Sequence, residues 1–367
     1  MSKVYPTCLT RNYISRWKLE DAIREKIQNA LDCGEYDIDR YGNEIVINSY
    51  GGTIDAQNLL LGVGSKTNDS TKIGGFSEGL LLALLIVTRE NIEIEFINGD
   101  KRWIPTFDWN EDYKCETLYI IEEDADEEFP DGVSITLQLP QDVADKVEQN
   151  TLYMQDDYEK FETEEGTILL DSQHAGKIYV SGLFVDNFRS EYGFNFPPEC
   201  FALDRDRKSL NPFDVKWQIR QLINQMNNDC DLTEDLSDRI IDSIANNDEA
   251  FTVVDEYEAG KNEKLVSSAE KLYNSNYSGK LVVSDYDEAK KLEKAGNKNV
   301  EYVSNSKLVS LIQKTDSYQT VVLGKVEPEH KDIDELLEDF EDKYSFEMSG
   351  EMFDDWEDLK IRVLKEV

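Results

Sequence analysis

Histidine is almost missing from this sequence: His174 and His330 are the only two in 367 residues. A multi-histidine metal centre is therefore excluded. The five cysteines (Cys8, Cys33, Cys115, Cys200 and Cys230) are scattered, odd in number and without a C-x-x-C pair. That argues against a disulfide framework or a zinc site and fits a reducing, cytoplasmic setting. The most apolar run, "GLLLALLIV" from Gly79 to Val87, falls well short of the roughly 20 residues a membrane span needs. It reads as a buried helix, and no membrane association is expected. The first residues, "MSKVYPTCLTRNYISRWK", hold no apolar core of a secretory signal, so none is expected. Positive charge is also scarce: 39 Lys and Arg stand against 77 Asp and Glu, for a net charge of -38. Such a surface repels nucleic-acid phosphates, so direct nucleic-acid binding is not expected. Disorder throughout is excluded as well, because 40% of residues are hydrophobic and 10% aromatic.

What is present is a sequence of helical and strand patterns. Apolar positions at Trp17, Ala22, Ile23, Ile27, Ala30 and Leu31 recur with a helical period, predicting a helix between Ile14 and Cys33. "GEYDIDRYGN" reads as a turn and "EIVINSY" as a strand. A long Gly/Ser/Thr/Asn-rich segment, "GGTIDAQNLLLGVGSKTNDSTKIGGFSEG", follows, with a short helical piece around Gln57 to Leu61. It is too long for an ordinary connection and reads as a functional loop or lid. After the apolar helix come "NIEIEFI", "KRWIPTF", "ETLYII" and "GVSITLQL" as strands, with "EEDADEEFPDG" as an acidic loop between them. Residues 1–140 thus read as helices packed on one face of a mixed sheet, an α+β sandwich. Residues 141–228 read as a second α/β domain. Residues 229–367 read as an acidic helical connector, a small alternating β/α module reaching "QTVVL", and an acidic helical tail.

Within "REKIQNALD", Glu25, Asn29 and Asp32 fall at i, i+4 and i+7 of the predicted helix, on a single stripe. Alone, that stripe is a solvated helix face. Downstream, "KIGGFSEGLLLAL" sets Gly74, Gly75 and Gly79 just before a strong helix. Glycines there let backbone N–H groups approach an anion at a helix N-terminus. The stripe can then supply a carboxylate for water activation in Glu25 and an amide oxygen for Mg²⁺ in Asn29. No P-loop or dinucleotide fingerprint occurs.

The order of these pieces resembles the GHKL ATPases: "RExxxNAxD", a strand, a "GGTI" turn, "GVGSK", then "IGGFSEGL". This superfamily joins the gyrase B subunit, the ninety-kilodalton heat-shock chaperone, histidine kinases and MutL, and the Morc proteins are close to it. The lid and phosphate turn are similar to the MutL/Morc type. The resemblance covers about residues 15–140, and more weakly a transducer-like domain through about 225. It implies a Bergerat-type fold with ATP and Mg²⁺ as ligands. Binding and hydrolysis of ATP would then drive a conformational switch, with a homodimer or a protein partner, and the distribution of small GHKL proteins points to a phage or bacterial defence-related system. By the same resemblance Glu25 is the general base, Asn29 the Mg²⁺ ligand and Asp32 a polar contact to the nucleotide. Ser65 and Lys66 lie in the lid, and Gly74, Gly75, Phe76, Ser77, Glu78 and Gly79 form the turn over the phosphates. Arg207, with Arg205 and Lys208 beside it, is the basic residue a transducer domain offers to the γ-phosphate; a surface salt-bridge set with Asp204 and Asp206 is the alternative. A histidine kinase is not expected, because neither histidine sits on a suitable helix.

Two departures lie in one subsite. Aligning "INSYGGTI" on the D-x-G-x-G turn puts Ser49 where an adenine-reading Asp is expected, keeps Gly51, and puts Thr53 at the second Gly. Val133 stands where a Thr ordinarily supports that Asp. Ser77 also replaces a glycine of the phosphate turn. These changes support an alternative: a degenerate GHKL fold acting as an acidic protein-interaction module or DNA mimic, with little or no ATPase activity.

Overall fold

The computed structural model describes residues 2–60, 78–201, 210–229, 232–253 and 259–325, with isolated positions between 337 and 360. The chain divides into two compact units, Met1–Asp229 with Asn247–Val254, and Cys230–Asn246 with Asp255–Val367. Both mix helices and strands, in keeping with an α+β protein.

The first unit holds two five-stranded sheets. In the first, β1 (Lys3–Thr10), β5 (Cys115–Gln138), β3 (Glu44–Ser49) and β2 (Tyr36–Tyr41) run in that order, and β4 (Glu93–Asn110) also pairs with β5. All these pairings are antiparallel. β5 does the work of two strands. Its first half pairs with β1 and the far half of β4; its second half pairs with β3 and the near half of β4.

Two expectations are corrected here. "GEYDIDRYGN" is not simply a turn: its "YDIDRY" is β2, paired residue for residue with β3 around a hairpin at Gly42 and Asn43. Gly42 has φ +68, which such a two-residue loop requires. The acidic run "EEDADEEFPDG" is not a separate loop but part of β5. The β4–β5 register shifts on both sides of Gly99, so β5 bulges and its extra acids stand in solvent. Composition suggested a loop; pairing at both ends keeps the strand going.

Two helices cover one face of this sheet. Helix α1 (Leu19–Leu31) begins later than the periodicity suggested, because Ile14 adopts φ 46 in the turn before it. Helix α2 (Gly79–Arg89) is buried continuously from Leu81 to Val87, as a helix apolar all round must be. Ile23, Ile27, Ile45, Ile47, Phe96, Leu118, Ile120 and Leu137 meet them in one core. Helix α3 (Gln141–Gln149) is tied to the β2–β3 hairpin by Arg40, which pairs with Glu148 at 2.6 Å and with Asp145.

The second sheet has the order β6 (Lys160–Thr163), β7 (Gly166–Leu169), β10 (Gly193–Phe196), β8 (Lys177–Val180), β9 (Leu183–Asn187). Only the β8–β10 pairing is parallel among these. Helix α4 (Pro212–Asn228) buries Val215, Ile219, Leu222, Ile223 and Met226, a single stripe. Its Pro212 opens the helix, and the Asn211 side chain accepts from the Phe213 amide at 3.0 Å.

In the second unit, helices α5 (Glu234–Ala245) and α6 (Glu263–Asn276) accompany a parallel pair, β11 (Leu281–Val283) and β12 (Val300–Tyr302). Helices α7 (Tyr286–Lys294) and α8 (Ser306–Ile312) follow those strands in turn. "QTVVL", expected to continue the alternation, lies instead in helix α9 (Asp316–Lys325). The Thr315 hydroxyl accepts from the Tyr318 amide there, a helix-starting bond that overrides the β-branched run.

Candidate functional site

Helix α1 carries the predicted stripe. Glu25 is 6% exposed, while Asn29 and Asp32 are half-buried, so the stripe is not a solvated face. Glu25 lies against the first residue of α2: a Cβ added to Gly79 would run into Glu25 Oε2. Glycine leaves room for the carboxylate at this helix N-terminus, where backbone amides lack helical acceptors and the dipole favours negative charge. Glu78 is the N-cap residue of α2. Gln28, 1% exposed beside Asn29, has no hydrogen-bond partner for either amide atom among the described residues, a polar opening that a folded chain ordinarily fills.

Next along α1, Lys26 is 2% exposed. Its Nζ donates to the Leu80 carbonyl at 3.2 Å and stands 5.3 Å above the Phe96 ring. Burial pushes the Lys26 ammonium down to about 7, with the Glu25 carboxylate pulling the other way.

The second half of the site is the turn after β3. Ser49 is directly opposite Val133 in the β3–β5 ladder, so these two side chains share one spot on one face. Gly51 packs on the turn that follows α1: a Cβ there would meet Cys33 Cβ at 2.8 Å. The Cys33 thiol in turn donates to the Asn29 carbonyl at 3.2 Å. This contact joins the turn to the Glu25 half of the site. The Gly52 amide donates to the Asp131 carbonyl at 3.0 Å. The Thr53 methyl fills the space above Gly99, where a Cβ would stand 2.7 Å away.

Asn98 secures the end of this turn. It accepts from the Ile54 amide at 2.7 Å and donates to the Ile54 carbonyl at 2.9 Å, at the point where the β4–β5 register shifts. Sequence reasoning missed Asn98, Gly99, Cys33 and Lys26. The pair Asn98-Gly99 inside a strand pattern was the available signal, since a glycine there marks a bulge or a close approach.

Of the residues singled out from the sequence, Glu25, Asn29, Asp32, Ser49, Gly51, Thr53, Glu78, Gly79 and Val133 are described. Ser65, Lys66, Gly74, Gly75, Phe76, Ser77 and Arg207 lie outside the described residues. Among the described residues there is no group of three or more His, Cys, Asp or Glu side chains able to hold a metal. A single amide oxygen from Asn29 fits a cation that takes its other ligands from phosphate and water, as Mg²⁺ does. No helix among them is long and apolar enough to cross a membrane.

No protein-family model matches the chain. An uncharacterised protein of Mycoplasma pneumoniae is similar, 23% identical over 219 residues that cover 55% of this chain and 89% of that one.

Proposed function

We propose that this chain is a Mg²⁺-dependent ATP-binding protein of the GHKL kind, its first sheet with α1 and α2 being a Bergerat-type sandwich, and that ATP binding and hydrolysis drive a conformational switch. The observation that carries this reading is the burial of Glu25 against Gly79 at the first turn of α2. A carboxylate held there can take a proton from a water as its oxygen attacks the γ-phosphate, leaving ADP and phosphate. Asn29, one turn further along α1, offers its amide oxygen to Mg²⁺. When bound, Mg²⁺ neutralises phosphate charge. Asp32 and the Ser49–Thr53 turn lie beside it through Cys33 and Gly51, on the side that would meet the base. Self-association on ATP binding fits the same reading.

The test is Mg²⁺-dependent nucleotide binding and turnover by the wild type, Glu25→Ala and Asn29→Ala. Binding that survives Glu25→Ala while turnover is lost supports the assignment. No binding of any nucleotide at millimolar concentration sinks it. The second reading, a fold that has given up nucleotide for protein contacts, draws on Ser49 facing Val133, a pair without a charged acceptor. Under it, the exposed acids Glu123, Asp124, Asp126, Glu127 and Glu128 of β5 would meet a basic partner. Failure to bind nucleotide favours it.

A further inference from the structure

Lys26 is a lysine where the fold has use for an apolar residue. It is 2% exposed in the middle of α1, and placing an amine there costs free energy unless something holds it. What holds it is the Leu80 carbonyl at 3.2 Å and the face of Phe96 at 5.3 Å. Leu80 is the residue after Gly79, on which the Glu25 carboxylate rests. One side chain thus ties the helix that carries Glu25 to the turn that receives Glu25. Among the described residues, the charged groups around the amine are few. From α1 it is Glu25; α2 brings the Leu80 carbonyl and, at its N-cap, Glu78. β4 brings Phe96, behind which Trp103 stacks at 5.5 Å and donates to Glu122 at 3.0 Å.

We propose that Lys26 is a positioning residue of the water-activating site, acting through Glu25 by locking the first turn of α2 to α1. The proposal rests on the reading of Glu25 as the base. Hydrogen-bond contact with Leu80 sets how closely Gly79 approaches α1, and hence where the carboxylate can stand. An apolar side chain of the same length fills the volume but leaves the Leu80 carbonyl without this donor.

Lys26→Met in the full chain tests it with two measurements. The first needs no nucleotide. Between about 7 and 10.5 the unfolded chain carries a proton on Lys26 that the folded chain lacks. Stability from this group therefore rises with pH across that window and is reduced below it. Lys26→Met should remove this rise and be no less stable than the wild type at pH 7; a variant unfolded or weaker at pH 7 overturns the proposal. The second measurement is turnover: kcat falls by about ten- to a hundredfold while KM for Mg-ATP stays within about twofold. Unchanged kcat overturns the proposal alone. Absence of turnover in the wild type overturns the reading of Glu25, and this proposal with it.

Discussion

Ser49 and Val133 face each other across the β3–β5 ladder. In the GHKL pattern that the sequence resembles, a carboxylate at position 49 goes with a hydroxyl at 133; here a hydroxyl faces an isopropyl group. The two positions are predicted to act as a coupled pair. Ser49→Asp alone places a charge beside a buried valine and is expected to cost stability. Ser49→Asp with Val133→Thr is expected to fold well and to tighten adenine nucleotides by about tenfold or more, the yield of a charged acceptor at about 1.5–3 kcal/mol. Calorimetric titration of ATP and GTP against the three proteins measures it. Equal affinities throughout would show that this spot does not meet the base.

Asn98 is expected to be the most sensitive side chain of the turn. Removing it in Asn98→Ala strands the Ile54 amide and carbonyl, at about 1–3 kcal/mol, and frees residues 51–54 to move. Asn98→Asp keeps an acceptor for the amide but sets a carboxylate oxygen against the Ile54 carbonyl, and should be worse. Denaturant unfolding gives the stability; nucleotide titration of the folded fraction shows whether the turn matters to binding.

His174 predicts an acid sensitivity in the second sheet's neighbourhood. It is fully buried, 3.3 Å from the Tyr179 hydroxyl and edge-on to Tyr158 at 5.1 Å. Burial holds the ring below its usual value of 6.5, and Lys177 adds to that. The folded chain therefore resists a proton that the unfolded chain accepts. Its contribution is complete above pH 6.5 and is lost as pH falls through the lower folded value. His174→Gln should flatten the fall in stability just below pH 6.5 relative to the wild type. Parallel curves for the two proteins would rule the ring out as the cause.

The two helices of the first sheet were legible because their apolar residues keep a helical period, Ile23 to Ala30 in one and an unbroken run in the other. The pairing of strands was less so. "YDIDRY" is short, acidic and flanked by glycines, so local chemistry favours a turn; only its ladder with β3 makes it a strand. The acidic run of β5 misleads in the same way. Glu25, Asn29 and Gly79 could be singled out as candidates from spacing and resemblance. Lys26 could not, because a lysine beside Glu25 reads as part of a polar stripe until its carbonyl partner, 54 positions away, is known. Asn98 and Ile54 are 44 positions apart, and nothing local announces their bond.

The double duty of β5 has a kinetic consequence. Lys3 pairs with Glu122 and Glu44 with Gln138, so neither edge of the sheet can close until this strand has been made. On a ribosome adding about 5–20 residues per second, β1 waits on the order of 10 s for its partner. Contacts of such long range also slow the search itself. During that wait β1 has no neighbour strand, and Lys3 and Pro6 within it are then its protection against pairing with another copy.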